Sequence, residues 1–103
     1  MINQHLVTTT NNLEGYRITK HLGVVRGITV RKMSILSNFS GKPSIFVDLC
    51  ERKREEAFQL MIRHGNEKGA NAIINMHYDS NDIMNGITEV LAYGTAVIVE
   101  KEA

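Results

Sequence analysis

His77 and Asp79 have the side chains and the spacing of a metal-ligand pair. Imidazole nitrogen and carboxylate oxygen both bind divalent transition metals. The two residues alternate in a segment that predicts a β-strand, so their side chains share one face, roughly 6 to 7 Å apart at the backbone. Two ligands fall short of a closed site, and a symmetry-related copy would have to supply the others. The alternative interpretation is that both residues simply lie on a solvated sheet face.

Cys50, the single cysteine, is the third candidate metal ligand. It cannot share an ion with His64, because fourteen residues at 1.5 Å per residue place the two roughly 21 Å apart along one helix. The alternative is that Cys50 is a small buried apolar side chain. The candidate metal set is therefore His77, Asp79 and Cys50, and the candidate cofactor is a divalent transition metal of unknown identity.

The sequence offers no set of residues that would act together in catalysis. It contains no Walker A pattern, no Gly-x-Ser-x-Gly elbow, no His-Glu-x-x-His and no GxGxxG. The run from Asp79 to Asp82 suggests a calcium loop, but Ile83 and Met84 occupy positions that require oxygen ligands. No nucleophile, base and orienting group can be named together, which favours a binding protein over an enzyme.

Composition narrows the class of protein further. With 12 Lys and Arg against 11 Asp and Glu, the formal net charge is +1, which argues against nucleic acid and membrane surfaces as partners. The length of 103 residues predicts a single domain, 1–103. One cysteine cannot form an internal disulfide, and no leader or long apolar run is visible, so we expect a cytoplasmic protein.

The first two thirds of the chain predict strands followed by a helix. Thr8–Thr10 and Tyr16–Lys20 predict two strands, and Leu22–Val30 predicts a strongly curved one with bends or close backbone approach at its glycines. Ser34–Pro43 predicts a loop or a broken helix. A long amphipathic helix is expected from Ser44 to Gly69, with its apolar side formed by Leu49, Ala57, Leu60 and Met61.

The last third predicts two strands. Ala72–Asp79 alternates, with Ala72, Ile74, Met76 and Tyr78 expected in the core. Ser80–Gly86 predicts a turn-rich connection, and Ile87–Glu100 predicts a long strand that is partly buried on both faces. The expected fold class is α+β, a two-layer domain in which one long helix covers a small antiparallel sheet.

Three ordered blocks and a fourth upstream carry a resemblance to a known family. They are Leu22–Gly27, Lys68–Ile73 and Tyr93–Val97, with Leu13–Gly15 before them. Together they resemble the YbjQ-like family of small, uncharacterised bacterial proteins. The resemblance implies a fold similar to the dodecin subunit, assembly into a closed homopentameric ring, and heavy-metal binding.

The expected function is a noncatalytic, homo-oligomeric binding module that holds a metal ion or small ligand where its copies meet. A final strand with apolar residues on both faces needs cover, and a second copy can supply it. The alternative is a scaffold that presents the ring to another protein without binding a small ligand.

Overall fold

The computed structural model describes residues 1–32 and 43–103. After a short 3-10 helix (Gln4–Leu6), these residues form three strands and one long helix: β1 (Tyr16–Lys32), α1 (Pro43–Glu67), β2 (Ala72–Met84) and β3 (Ile87–Lys101). The strands form one antiparallel sheet in the order β1-β3-β2, and α1 packs on one of its faces. The predicted α+β class is confirmed. Residues 34–42 of the predicted loop lie outside the described residues.

β1 is one strand where two were predicted. It runs without a break from Tyr16 to Lys32, and its register with β3 shifts twice, between Ile18 and Lys20 and between His21 and Gly23. These bulges supply the predicted curvature while the strand continues. The strand predicted at Thr8–Thr10 is wrong. That segment is irregular, but it pairs with the outer edge of β2, and the Thr8 N–H donates to the Ile73 carbonyl at 2.9 Å.

α1 begins and ends close to the predicted bounds. After its last residue the chain turns at Gly69, whose φ of +83° is the left-handed conformation expected of a helix C-terminus. Ala57 and Met61 are fully buried against the sheet. Leu60 was predicted to join them but is 39% exposed, because the stripe that meets the sheet is narrower than expected and leaves Leu60 at its margin. None of the helices in residues 1–32 and 43–103 could span a membrane.

The alternation predicted for β2 fails at Asn75. This residue has a φ of +52°, and the register with β3 shifts between Ile74 and His77. The bulge puts Met76 on the same side as Ile73, so both are buried under α1, although Ile73 was assigned to the outer face. The connection predicted at Ser80–Gly86 is strand as far as Met84, followed by a tight turn at Asn85 and Gly86.

The protein buries apolar side chains on both faces of the sheet, as predicted for the last strand. The larger cluster lies between α1 and the sheet and includes Val25, Met61 and Ile73. The smaller cluster lies on the opposite face and brings Leu13 of the N-terminal segment over Val97. The N-terminal segment therefore covers one end of the face that α1 does not touch.

Candidate functional site

The other end of that second face carries the predicted site. Val25 and Ala92 point into the core under α1, so the residues beside them in β1 and β3 point the opposite way. Residues paired directly across an antiparallel sheet share a face. We call this surface the open face; its members are Val24, Arg26, Ile28 and Val30 of β1, Glu89, Leu91 and Tyr93 of β3, and His77 and Asp79 of β2.

The open face exposes several large apolar side chains. Val24 is 62% exposed, Ile28 45% and Val30 42%. They share this face of β1 with Arg26, which lies between Val24 and Ile28, and Leu91 and Tyr93 of β3 lie beside them. Exposed apolar side chains grouped among polar ones are typical of an interaction surface.

His77 and Asp79 lie on the open face together, as predicted. The His77 ring packs beside Tyr93 with ring centroids 5.9 Å apart. The Asp79 carboxylate turns back to its own strand, where it accepts the Ser80 N–H at 2.9 Å and the Asn81 amide at 3.4 Å. These bonds orient the carboxylate along its own strand and leave an acceptor site on each oxygen, so His77 and Asp79 are both exposed donors.

Cys50 lies on the other side of the sheet. It is half-buried on α1, and its sulfur accepts a hydrogen bond from the Arg31 guanidinium. Arg31 pairs with Thr88, which is buried on the α1 side. The structure therefore separates Cys50 from His77 and Asp79 within one chain. Among residues 1–32 and 43–103, no three metal-binding side chains come together.

A groove runs where α1 overhangs the free edge of β1. It has a volume of 410 Å³ and is lined by Arg26, Gly27, Ile28, Leu60, Arg63, His64 and Glu67. The His64 Nδ1 atom accepts the backbone N–H of Arg26 at 3.1 Å. No local sequence pattern indicates this contact, because the packing of α1 on β1 joins residues that are 38 positions apart.

Tyr78 occupies the α1 face of β2, opposite His77 and Asp79. The Arg54 guanidinium lies 5.1 Å from the centre of its ring. Burial raises the pKa of the Tyr78 phenol, and the carboxylates of Glu55 and Glu51 act in the same direction while Arg54 acts against them. The prediction that Tyr78 lies in the core is wrong, because its side chain is 37% exposed and meets α1 through Arg54.

The chain has clear relatives. Residues 5–100 match the YbjQ family model, described as "putative heavy-metal-binding". A UPF0145 protein of Solibacter usitatus is 51% identical over 96% of both chains, and one of Chromobacterium violaceum is 46% identical over 97% of this chain and 92% of its own. A solved protein of unknown function from Pediococcus pentosaceus, of the DUF74 family, shares the fold with a TM-score of 0.66 at 19% identity, covering 91% of this chain and 96% of that one. The chain belongs to the YbjQ family of UPF0145 proteins.

Proposed function

We propose that this protein is a homo-oligomeric, noncatalytic binding module whose copies cover one another's open face. The observation that carries the proposal is the group of exposed Val24, Ile28 and Val30 on a surface that neither α1 nor the N-terminal segment covers. Burial of such a group removes apolar surface from water and is the main source of free energy for association. A closed ring of five copies is the arrangement that the family resemblance implies.

The ligand of the module is proposed to lie where copies meet. A single chain does not fit a resident metal ion, because the described residues supply no group of three ligands. His77 is an exposed donor on the open face. Cyclic symmetry repeats that imidazole around an axis, which is how two or more copies would complete a site for a divalent transition metal.

Native mass spectrometry of the wild-type chain and two matched variants tests the assembly. The wild type is expected at two or more times the subunit mass of 11.6 kDa. Ile28→Glu places a charge in the apolar group and is expected to give monomers. Val47→Glu makes the same kind of change at an exposed position of α1, outside the open face, and is expected to assemble like the wild type. A monomeric wild type at micromolar concentration would overturn the proposal.

Metal content measured on protein purified without an affinity tag tests the ligand. Wild type is expected to retain metal in a fixed ratio to subunits, and His77→Ala is expected to lose it. His5→Ala removes an exposed histidine of the N-terminal segment and serves as the control. Cys50→Ala is expected to retain metal, because Cys50 lies across the sheet. Substoichiometric metal in every sample would leave the scaffold without a small ligand as the function.

A further inference from the structure

The two outer strands of the sheet each have a row of backbone groups that face away from it. The Arg26 N–H of β1 points outward to His64 rather than to β3. Alternate residues of an antiparallel strand face the same way, so the backbone groups of Ile28 face this free edge as well. On β2 the Ser80 N–H likewise faces outward, toward the Asp79 side chain. Free strand edges are templates for the strands of other chains.

The charges of the two edges decide which strands could meet. β1 carries five basic residues and no acidic one; they are Arg17, Lys20, Arg26, Arg31 and Lys32. β2 carries Asp79 and Asp82 and no Lys or Arg. Pairing β1 with β1, or β2 with β2, would place like charges side by side and is unfavourable. Pairing β1 of one copy with β2 of another places opposite charges together and is favourable. A contact between β1 of one copy and β2 of the next is head-to-tail. It closes into a ring only if the rotation between neighbouring copies fits, and otherwise it grows into a filament.

Side chains and the N-terminal segment occupy these edges in the folded chain. His64 accepts the Arg26 N–H at 3.1 Å, and Asp79 accepts the Ser80 N–H at 2.9 Å. Beyond them, the first half of β2 is paired with the N-terminal segment: the Asn75 N–H donates to Thr10 at 3.0 Å and the Met76 N–H to Thr8 at 2.9 Å.

We propose that His64 and Asp79 are guard residues that prevent a second copy of this chain from adding a strand at the free edges of β1 and β2. Each side chain satisfies an edge N–H that an incoming strand would otherwise use. A strand of another copy must displace the guard before it can pair. The guards therefore restrict self-association to surfaces other than the edges. Among residues 1–32 and 43–103, the open face has no such device.

The test compares guard variants with matched controls by sedimentation velocity in the presence of a chelator. Loss of either guard, in His64→Ala or Asp79→Ala, is expected to raise the association constant for species larger than the wild-type assembly by about fivefold, the effect of removing one competing hydrogen bond of ordinary strength. The double variant is expected to show the largest rise. Asp48→Ala changes an exposed residue of α1 away from both edges and is expected to match the wild type.

Edge prolines separate strand addition from simple misfolding. Arg26→Pro removes one outward N–H of β1 without removing a bond to β3, so the double variant His64→Ala/Arg26→Pro is expected to sediment like Arg26→Pro alone, which controls for the place of Arg26 on the open face. Asp79→Ala/Ser80→Pro is likewise expected to sediment like Ser80→Pro alone. Large species that persist in the double variants but not in the proline variants alone, or guard variants that sediment like the wild type, would overturn the proposal.

Two further features keep the result decisive. Asp79 is exposed, so Asp79→Ala is expected to leave the fold intact. It therefore still tests the proposal if His64→Ala lowers the helical circular dichroism signal and so disturbs the fold. The comparison is made with the wild-type distribution itself. A monomeric wild type would therefore refute the proposed function. The guard proposal would then be decided by whether the guard variants form species larger than the wild-type monomer.

Discussion

The side chain of Asn71, between α1 and β2, makes the two backbone hydrogen bonds that a neighbouring strand would otherwise make. Its carboxamide oxygen accepts the Val99 N–H at 2.8 Å, and its amide donates to the Val99 carbonyl at 3.0 Å. Both backbone groups belong to β3 beyond the end of its pairing with β2. The side chain therefore completes the hydrogen bonding of a half-buried part of the sheet.

Asn71→Ala is expected to lower the free energy of unfolding by about 1–3 kcal/mol, because it leaves a backbone donor and acceptor without partners. Urea denaturation measures the change. Asn11→Ala, at an exposed position of the N-terminal segment, is the matched control and is expected to change stability by less than about 0.5 kcal/mol. Equal midpoints for the two variants would contradict this role of Asn71.

Tyr78 makes stability depend on alkaline pH. Burial, followed by the nearby Glu55, raises the pKa of Tyr78 in the folded protein above the ordinary value of 10.0. The unfolded chain therefore loses the phenol proton at lower pH than the folded protein, and the stabilisation present below pH 10 is lost as pH rises through the folded pKa. Tyr78→Phe is expected to reduce the loss of stability between pH 8 and pH 11, measured as the shift in urea midpoint. The same shift in urea midpoint in Tyr78→Phe and in the wild type would refute this role of Tyr78.

The candidate metal residues show how far residue types alone can be taken. Spacing predicted that His77 and Asp79 share a strand face, and the structure places them so. Spacing did not predict that the Asp79 carboxylate is held by Ser80 and Asn81, or that Cys50 lies across the sheet. Those outcomes depend on which neighbours each side chain meets after folding.

At the scale of elements, the approach of α1 to β1 depends on Gly27. A Cβ atom at this position would overlap the carbonyl oxygen of Ala57 and lie 2.7 Å from the Cβ of Leu60. Because the obstacle includes helix backbone, it cannot be relieved by rotating a side chain. The sequence predicted a bulge, a bend or close backbone approach at this glycine, and the structure shows close approach, with α1 as the element that approaches.

Gly27→Ala is expected to lower the free energy of unfolding by about 3 kcal/mol, at the upper end of the cost of overpacking. Thermal and urea unfolding followed by circular dichroism measure it. Lys20→Ala on the same strand changes an exposed side chain and is expected to stay within about 0.5 kcal/mol of wild type. Wild-type stability in Gly27→Ala would show that α1 can move away from β1 at little cost.

At the scale of the whole molecule, one copy is extended. Its radius of gyration is 16.1 Å and its extents are 54 × 23 × 20 Å, whereas a compact chain of 103 residues has a radius of gyration of about 13 Å. The second half of β2, from His77 to Met84, is exposed along its whole length. A single copy therefore leaves much of its sheet in contact with water.

The dependence of stability on protein concentration tests whether other copies cover the exposed sheet. If copies cover the open face of the folded state, the melting temperature of the wild type is expected to rise with protein concentration. Between about 1 and 100 μM, Ile28→Glu is expected to melt at a constant temperature and Val47→Glu to behave like the wild type. Melting of the wild type that is independent of concentration would argue against assembly through the open face.

The sequence by itself determined the fold class, the extent of α1, the turn at Gly69 and the long last strand, because these follow from local periodicity and from glycine. Only the tertiary structure decided the rest. The bulge at Asn75 places Met76 on the same face of β2 as Ile73 and on the opposite face from Ile74, and the bulges in β1 join two predicted strands into one. The contact between His64 and Arg26 exists because α1 overhangs the sheet edge. Pairing across a sheet and packing across a helix join residues that are distant in the chain, and no local pattern contains that information.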